Sequence, residues 1–193
     1  AYCKALGAQF IHPFDDPAVI AGQGTVGLEI LSRQPGVDAI LVPAGGGGLA
    51  AGVAACVKQR SPGTKVIAVQ AEGAGALARS FGRGRLTATG SAVTMADGIA
   101  VRQPGRLAFE LVQRYADAVL TVPESAIAQA VLLLLERAKL LVEPAGAVAL
   151  AALLAGGTGL GGQRVACVLS GGNLDMSLIH RLSQQRKAAG YTA

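Results

Sequence analysis

The sequence predicts an α/β protein: an open, mostly parallel sheet with helices on both faces. Three observations carry that expectation. Short apolar runs of strand length alternate with longer stretches of helical composition. Two of the runs, residues 38–43 and 65–69, flank a helical stretch long enough for a parallel crossover. Two runs also end in glycine-rich loops, and ligands of open α/β sheets collect at the carboxyl ends of strands.

Residues 22–32 read as a helix preceding the first strand. Residues 38–43, Asp-Ala-Ile-Leu-Val-Pro, form a buried strand, and 49–60 follow as a helix. After the turn Ser61-Pro62-Gly63 comes a second strand at 65–69. Residues 104–116 are helical, with Leu107, Leu111 and Val112 on one face. A short strand at 118–122 leads into a helix from Pro123 to about Leu141. Glu143-Pro144 breaks that helix and 145–154 forms another. The last strand, 164–169, ends in Ser170-Gly171-Gly172-Asn173. No internal repeat and no long linker divides the chain.

Composition excludes several classes. Apolar residues make up 51% and charged residues 15%, far from a disordered composition. The net charge of +5 is scattered, and no aromatic residues interleave with the arginines to make a base-stacking surface, so nucleic acid is not the expected partner. The apolar stretch 130–154 is interrupted by Glu136, Arg137, Lys139 and Glu143, against a membrane span. No signal peptide is visible at the N-terminus. Cys3, Cys56 and Cys167 are far apart, with neither metal-ligand spacing nor a disulfide framework. Cys56 and Cys167 read as small core residues, and a reducing cytoplasm fits.

Pro43-Ala44-Gly45-Gly46-Gly47-Gly48-Leu49 is the strongest local signal. A run of residues without Cβ atoms lets successive N–H groups converge, and the following helix adds unsatisfied donors. The natural guest is a phosphate. The loop ends in Gly-Leu-Ala where a Walker loop needs Gly-Lys-Ser/Thr. A dinucleotide stays open on spacing: Gly46, Gly48 and Ala51 fit G-x-G-x-x-A, with Glu72 just past the next strand. Tight packing alone is the remaining reading of the glycines.

Ser170 offers a hydroxyl to the same strand-end region, a neutral partner for a ring nitrogen, and reads equally as a helix N-cap. Glu143 stands between Leu140-Leu141-Val142 and Pro144-Ala145-Gly146. In apolar surroundings its carboxyl would titrate high enough for proton transfer; the alternative is an acid stabilising the helix that Pro144 begins.

Taken together, these motifs resemble the fold-type II pyridoxal-phosphate enzymes, and the threonine/serine dehydratases in particular. The segments are His12-Pro13-Phe14-Asp15-Asp16-Pro17, Val19 to Thr25, the glycine loop, Ala96-Asp97-Gly98-Ile99-Ala100-Val101, Leu141 to Ala147, and Ser170-Gly171-Gly172-Asn173. The resemblance runs from about His12 to Asp175. It implies the large domain of the tryptophan-synthase-β-like fold and pyridoxal 5'-phosphate as cofactor. Gly45, Gly46, Gly47, Gly48 and Leu49 would hold its phosphate, Gly98 would approach it by backbone, Ser170 would meet the ring nitrogen, and Glu143 would sit near the ring. Some relatives bind a divalent metal at positions held here by Gln70 and Ala76, so no metal of that type is expected. Implied too are a small amino-acid substrate, L-threonine or L-serine, its conversion to a 2-oxo acid and ammonia, and a homo-oligomer of two or four copies.

The family's Schiff-base lysine lies in a Ser-x-Lys-x-Arg-Gly context that is absent here. Lys4, Lys58, Lys65, Lys139 and Lys187 have other settings, and Lys58 and Lys139 read as solvated helix residues. The family's Ser-Gly-Asn-His substrate segment is absent as well. The expectation is that residues 1–193 form a single partial domain, without the N-terminal lysine segment and the C-terminal regulatory domain, and inactive alone. A dinucleotide-binding oxidoreductase domain and a non-catalytic phosphate module are the competing readings.

Overall fold

A four-stranded, wholly parallel sheet organises the chain, which the computed structural model describes over residues 2–188. The strands are β1 (Ala39–Pro43), β2 (Lys65–Ala71), β3 (Ala118–Val122) and β4 (Val165–Cys167), in the order β3-β2-β1-β4. Ile40 stands opposite Val66 on one side and Ala166 on the other. The helices are α1 (Tyr2–Ala5), α2 (Pro17–Arg33), α3 (Gly48–Arg60), α4 (Ala76–Arg83), α5 (Arg106–Tyr115), α6 (Glu124–Leu133), α7 (Pro144–Ala155) and α8 (Met176–Ala188).

Alternation along each strand builds two cores. Leu41, Ile67 and Val69 face α6 and α7, whereas Ile40, Val42, Val66 and Ala68 face α3 and α5. All five residues of β1 are buried, which is why its sequence reads as one continuous apolar run. Each large aliphatic side chain sealed this way contributes roughly 1.5–3 kcal/mol. Small residues bring α2 close to α3: a methyl group at Gly27 would lie 3.0 Å from Val57 Cγ2.

Several boundaries differ from the sequence reading. The first long helix begins at Pro17, five residues early, because Asp16 caps it: Oδ1 accepts from the N–H groups of Ala18 (2.8 Å) and Val19 (3.2 Å). The predicted 104–116 helix starts at Arg106. The last strand pairs only over Val165–Cys167. α1, α4 and α8 were not predicted. Cys56 and Cys167 are half-buried, not core. Among the described residues no helix is long and apolar enough to cross a membrane.

The predicted 123–141 helix stops sooner. After α6 the chain widens into a π-helical turn, Leu134–Ala138, and Lys139 closes it at φ 59°. Residues 140–143 then run non-helically toward Glu143. Left-handed backbone strains any side chain with a Cβ, and Lys139 is the one non-glycine residue with positive φ among those described. Lys139→Gly is therefore expected to raise stability by roughly 0.5–1 kcal/mol, read as a higher urea midpoint.

Candidate active site

The glycine loop leaves the end of β1 and enters α3. Ala44 N–H donates to the Val69 carbonyl (2.9 Å), so the sheet ladder holds the loop up to its first glycine. Gly47 has φ 102° and is the N-cap of α3, a conformation that favours glycine. The first-turn N–H groups of α3 have no partner within the helix, and the helix dipole makes this end attractive to an anion.

The other side of the loop is walled by residues distant in sequence. Gly45 lies under Ile99, where a methyl group would come 2.9 Å from the Ile99 Cα. Gly46 and Gly48 lie under Phe14: a methyl at Gly46 would overlap its ring, and one at Gly48 would sit 2.9 Å from its Cα. Close packing thus accounts for part of the glycine run, as one sequence reading held.

Phe14 is itself held in place. His12 Nδ1 accepts from the Asp15 N–H (3.1 Å), and the His12 and Phe14 rings meet edge to face at 4.5 Å. The Asp15 carboxylate reaches the start of α5, accepting from the N–H groups of Arg106 and Ala108 at 2.9 Å each. Gly105 N–H donates to the Gly46 carbonyl (2.9 Å), closing the circuit. Segment 12–16 is a latch across the loop, a role that its sequence motif does not announce.

The residues singled out in the sequence come together. Gly45, Gly46, Gly47, Gly48, Leu49, Gly98, Glu143 and Ser170 line one cleft of about 430 Å³, with Pro13 and Phe14 at its mouth. That volume suits a small cofactor. Glu72, the acid a dinucleotide would need, is exposed at the turn after β2 and is not among the lining residues.

Glu143 differs from expectation in its surroundings. It occupies the N-cap position of α7 with Pro144 next, yet its side chain makes no capping bond. It crosses instead to the loop after β4 and packs on Gly171. Its Oε2 accepts from Asn173 N–H (3.1 Å), and its own N–H donates to the Gly171 carbonyl (3.0 Å). A backbone N–H and the Gly171 backbone lie against the carboxylate, not the apolar sleeve read from Leu140 to Val142. Ser170 is exposed and caps no helix: α8 starts later, and Asp175 Oδ1 takes the Ser177 N–H (2.8 Å), which holds the Asp175 carboxyl below its ordinary range.

Among the described residues no lysine lines the cleft. Lys58 is no solvated residue: it pairs with Asp117 at 2.8 Å. Lys139 Nζ donates to the Glu136 carbonyl (2.6 Å), beyond the helix where it was placed. Lys65 opens β2 and is exposed. The side chains of Lys4 and Lys187 lie outside the described ones.

Cys167, three residues before Ser170, has its thiol pushed up to about 11 by burial, from an ordinary 9.0. Two units leave about 100-fold less thiolate at pH 8. Iodoacetamide at pH 8 is therefore expected to label Cys167 only slowly. Labelling of Cys167 should climb about tenfold per pH unit toward pH 10, as read by peptide mass spectrometry.

Comparison with known proteins decides the family. The family model described as pyridoxal-phosphate dependent enzyme matches residues 1–171. The chain belongs to that family. Within this pyridoxal-phosphate family, L-threonine ammonia-lyase of Thermotoga maritima is 50% identical over 179 residues, covering 93% of this chain and 44% of that protein. The catabolic L-threonine dehydratase of Escherichia coli K12 is 42% identical, covering 92% of this chain and 54% of that protein. The crystal structure of T.th. threonine deaminase superposes with a TM-score of 0.87 at 44% identity, over 91% of this chain and 64% of that one. The chain spans about half the length of the curated relatives it matches. The open parallel sheet with helices on both faces is the predicted fold class.

Proposed function

We propose that this chain is most of the large, cofactor-binding domain of a threonine/serine dehydratase. Such an enzyme converts L-threonine or L-serine to a 2-oxo acid and ammonia with pyridoxal 5'-phosphate. One observation carries the reading: a single cleft gathers a phosphate cradle, a neutral hydroxyl and a carboxylate. The cradle fits the cofactor's phosphate, because Gly46 to Gly48 present bare backbone beside the N-terminus of α3.

In this reading the N–H groups of Gly45, Gly46, Gly47, Gly48 and Leu49 hold the phosphate. The Ser170 hydroxyl meets the ring nitrogen, and as a neutral group it does not force a proton onto it. Gly98, where a methyl would come 3.0 Å from the Ala145 Cβ, lets the ring lie close to the backbone. Glu143 keeps Oε2 on Asn173 N–H and has Oε1 between Gly98 and Gly171, where it can carry a proton. When bound, the cofactor supplies an electron sink for loss of the substrate's α-proton and expulsion of its β-hydroxyl. The reading assigns the amine-carrying lysine to polypeptide outside these 193 residues. It also assigns the working protein to a cytoplasmic homo-oligomer.

The test is a chimera in which this chain replaces the matching region of the Thermotoga maritima L-threonine ammonia-lyase. Release of ammonia and a 2-oxo acid from L-threonine or L-serine is expected. A folded chimera that binds pyridoxal phosphate but consumes neither amino acid overturns the proposal.

A further inference from the structure

Gln70, the penultimate residue of β2, is completely buried. A buried amide must satisfy both of its ends. Its Nε2 donates to the carbonyl of Gly45 (3.3 Å), the first residue of the glycine run. Its Oε1 accepts from the Ala78 N–H (2.9 Å), in the first turn of α4, where that N–H has no partner within the helix. These partners fix which end of the amide points where: a carbonyl needs a donor and an N–H needs an acceptor. On its other side Gly45 is pressed against Ile99. The Gly45 peptide is thus clamped, with its carbonyl drawn toward β2 and away from the cleft.

We propose that Gln70 is the positioning residue of the glycine loop, acting through the Gly45 carbonyl to set the orientation of the N–H groups that follow. It touches no ligand. The inference rests on the reading of the loop as a phosphate cradle. It predicts that the loop responds to the donor at position 70, not to the volume there.

The decisive substitution is Gln70→Glu. A carboxylate of the same shape still accepts from Ala78 but has no proton for Gly45 while ionised. Gln70→Met, with the same length and no polar atom, removes both bonds. The probe is pyridoxine 5'-phosphate, which has ring and phosphate but no aldehyde to react with surface lysines. Gln70→Glu is expected to weaken its binding by roughly tenfold or more at pH 8 relative to the unsubstituted chain. That ratio should shrink toward pH 5.5, as the introduced carboxyl gains a proton it can donate to Gly45. Gln70→Met should be weakened at both pH values alike. In the ligand-free chains, hydrogen exchange of the Gly46 to Gly48 amides should quicken in both variants at pH 8, with exchange in β1 unchanged. Affinity within twofold of the parent together with unaltered loop exchange overturns the proposal. If the unsubstituted chain itself fails to bind the probe, the phosphate-cradle reading falls, and loop exchange alone decides for or against Gln70. If Gln70→Glu does not fold, Gln70→Met is judged by the same affinity and exchange criteria at pH 8.

Discussion

Gly46→Val is expected to abolish phosphate binding and to lower stability by about 1–3 kcal/mol. The loop is a layer one backbone thick between the Phe14 ring and the end of the sheet. A side chain at Gly46 meets that ring directly. The backbone cannot retreat, because the Gly46 carbonyl already accepts from Gly105 N–H (2.9 Å) at the start of α5. Either Phe14 leaves, opening the mouth of the cleft, or the loop bends and its N–H groups diverge. Urea unfolding and a pyridoxine phosphate titration report the two losses. Gly90→Val is the control: nothing lies within 4 Å of a methyl group there, so both quantities should stay at the parent value. Unchanged binding in Gly46→Val would remove the loop from the site.

Asp15→Ala is expected to cost about 1–2 kcal/mol and to weaken phosphate binding with it. Asp15 caps α5 from 91 residues away in sequence, and the local position cannot substitute, because the carboxylate occupies the space a side chain at Gly105 would need. Loss of the cap frees α5, and with it the bond from Gly105 to Gly46; it also releases Phe14. Asp16→Ala separates the two effects. Asp16 caps only α2, through Ala18 and Val19, so its loss should cost about 1 kcal/mol in thermal unfolding and leave binding intact. Equal binding losses in the two variants would mean that the latch acts through general stability alone.

How much of this could be read from the sequence follows from where each feature gets its energy. The parallel sheet was legible because β1 and β2 are buried on both faces, which leaves continuous apolar runs bounded by turns. The π-helical turn was not legible. Leu134-Leu135-Glu136-Arg137-Ala138 are good helix formers, and nothing local marks the widening. α4 is amphipathic but only eight residues long, too short for its period to stand out, and α8 mixes polar residues through its length. In the site, the glycine loop announced itself by residue type, and Ser170, Gly98 and Glu143 by motif. The surroundings of Glu143 were misjudged because its sequence neighbours are apolar, whereas its spatial neighbours are the backbone groups of 171–173. The two hydrogen bonds of the Gln70 amide and the cap by Asp15 depend on pairings across the fold, which no local pattern encodes.

Every assignment at the cleft depends on the Gly45–Gly48 loop being a phosphate cradle for a pyridoxal cofactor. The most direct measurement is a titration of the isotopically labelled chain with pyridoxine 5'-phosphate, following the backbone amides by NMR, with a nicotinamide dinucleotide in parallel. Saturable shifts centred on the amides of Gly45 to Leu49 are expected with the pyridoxine phosphate, and none with the dinucleotide. Saturable shifts with the dinucleotide alone, or pyridoxine phosphate binding that leaves these amides unmoved, would contradict it.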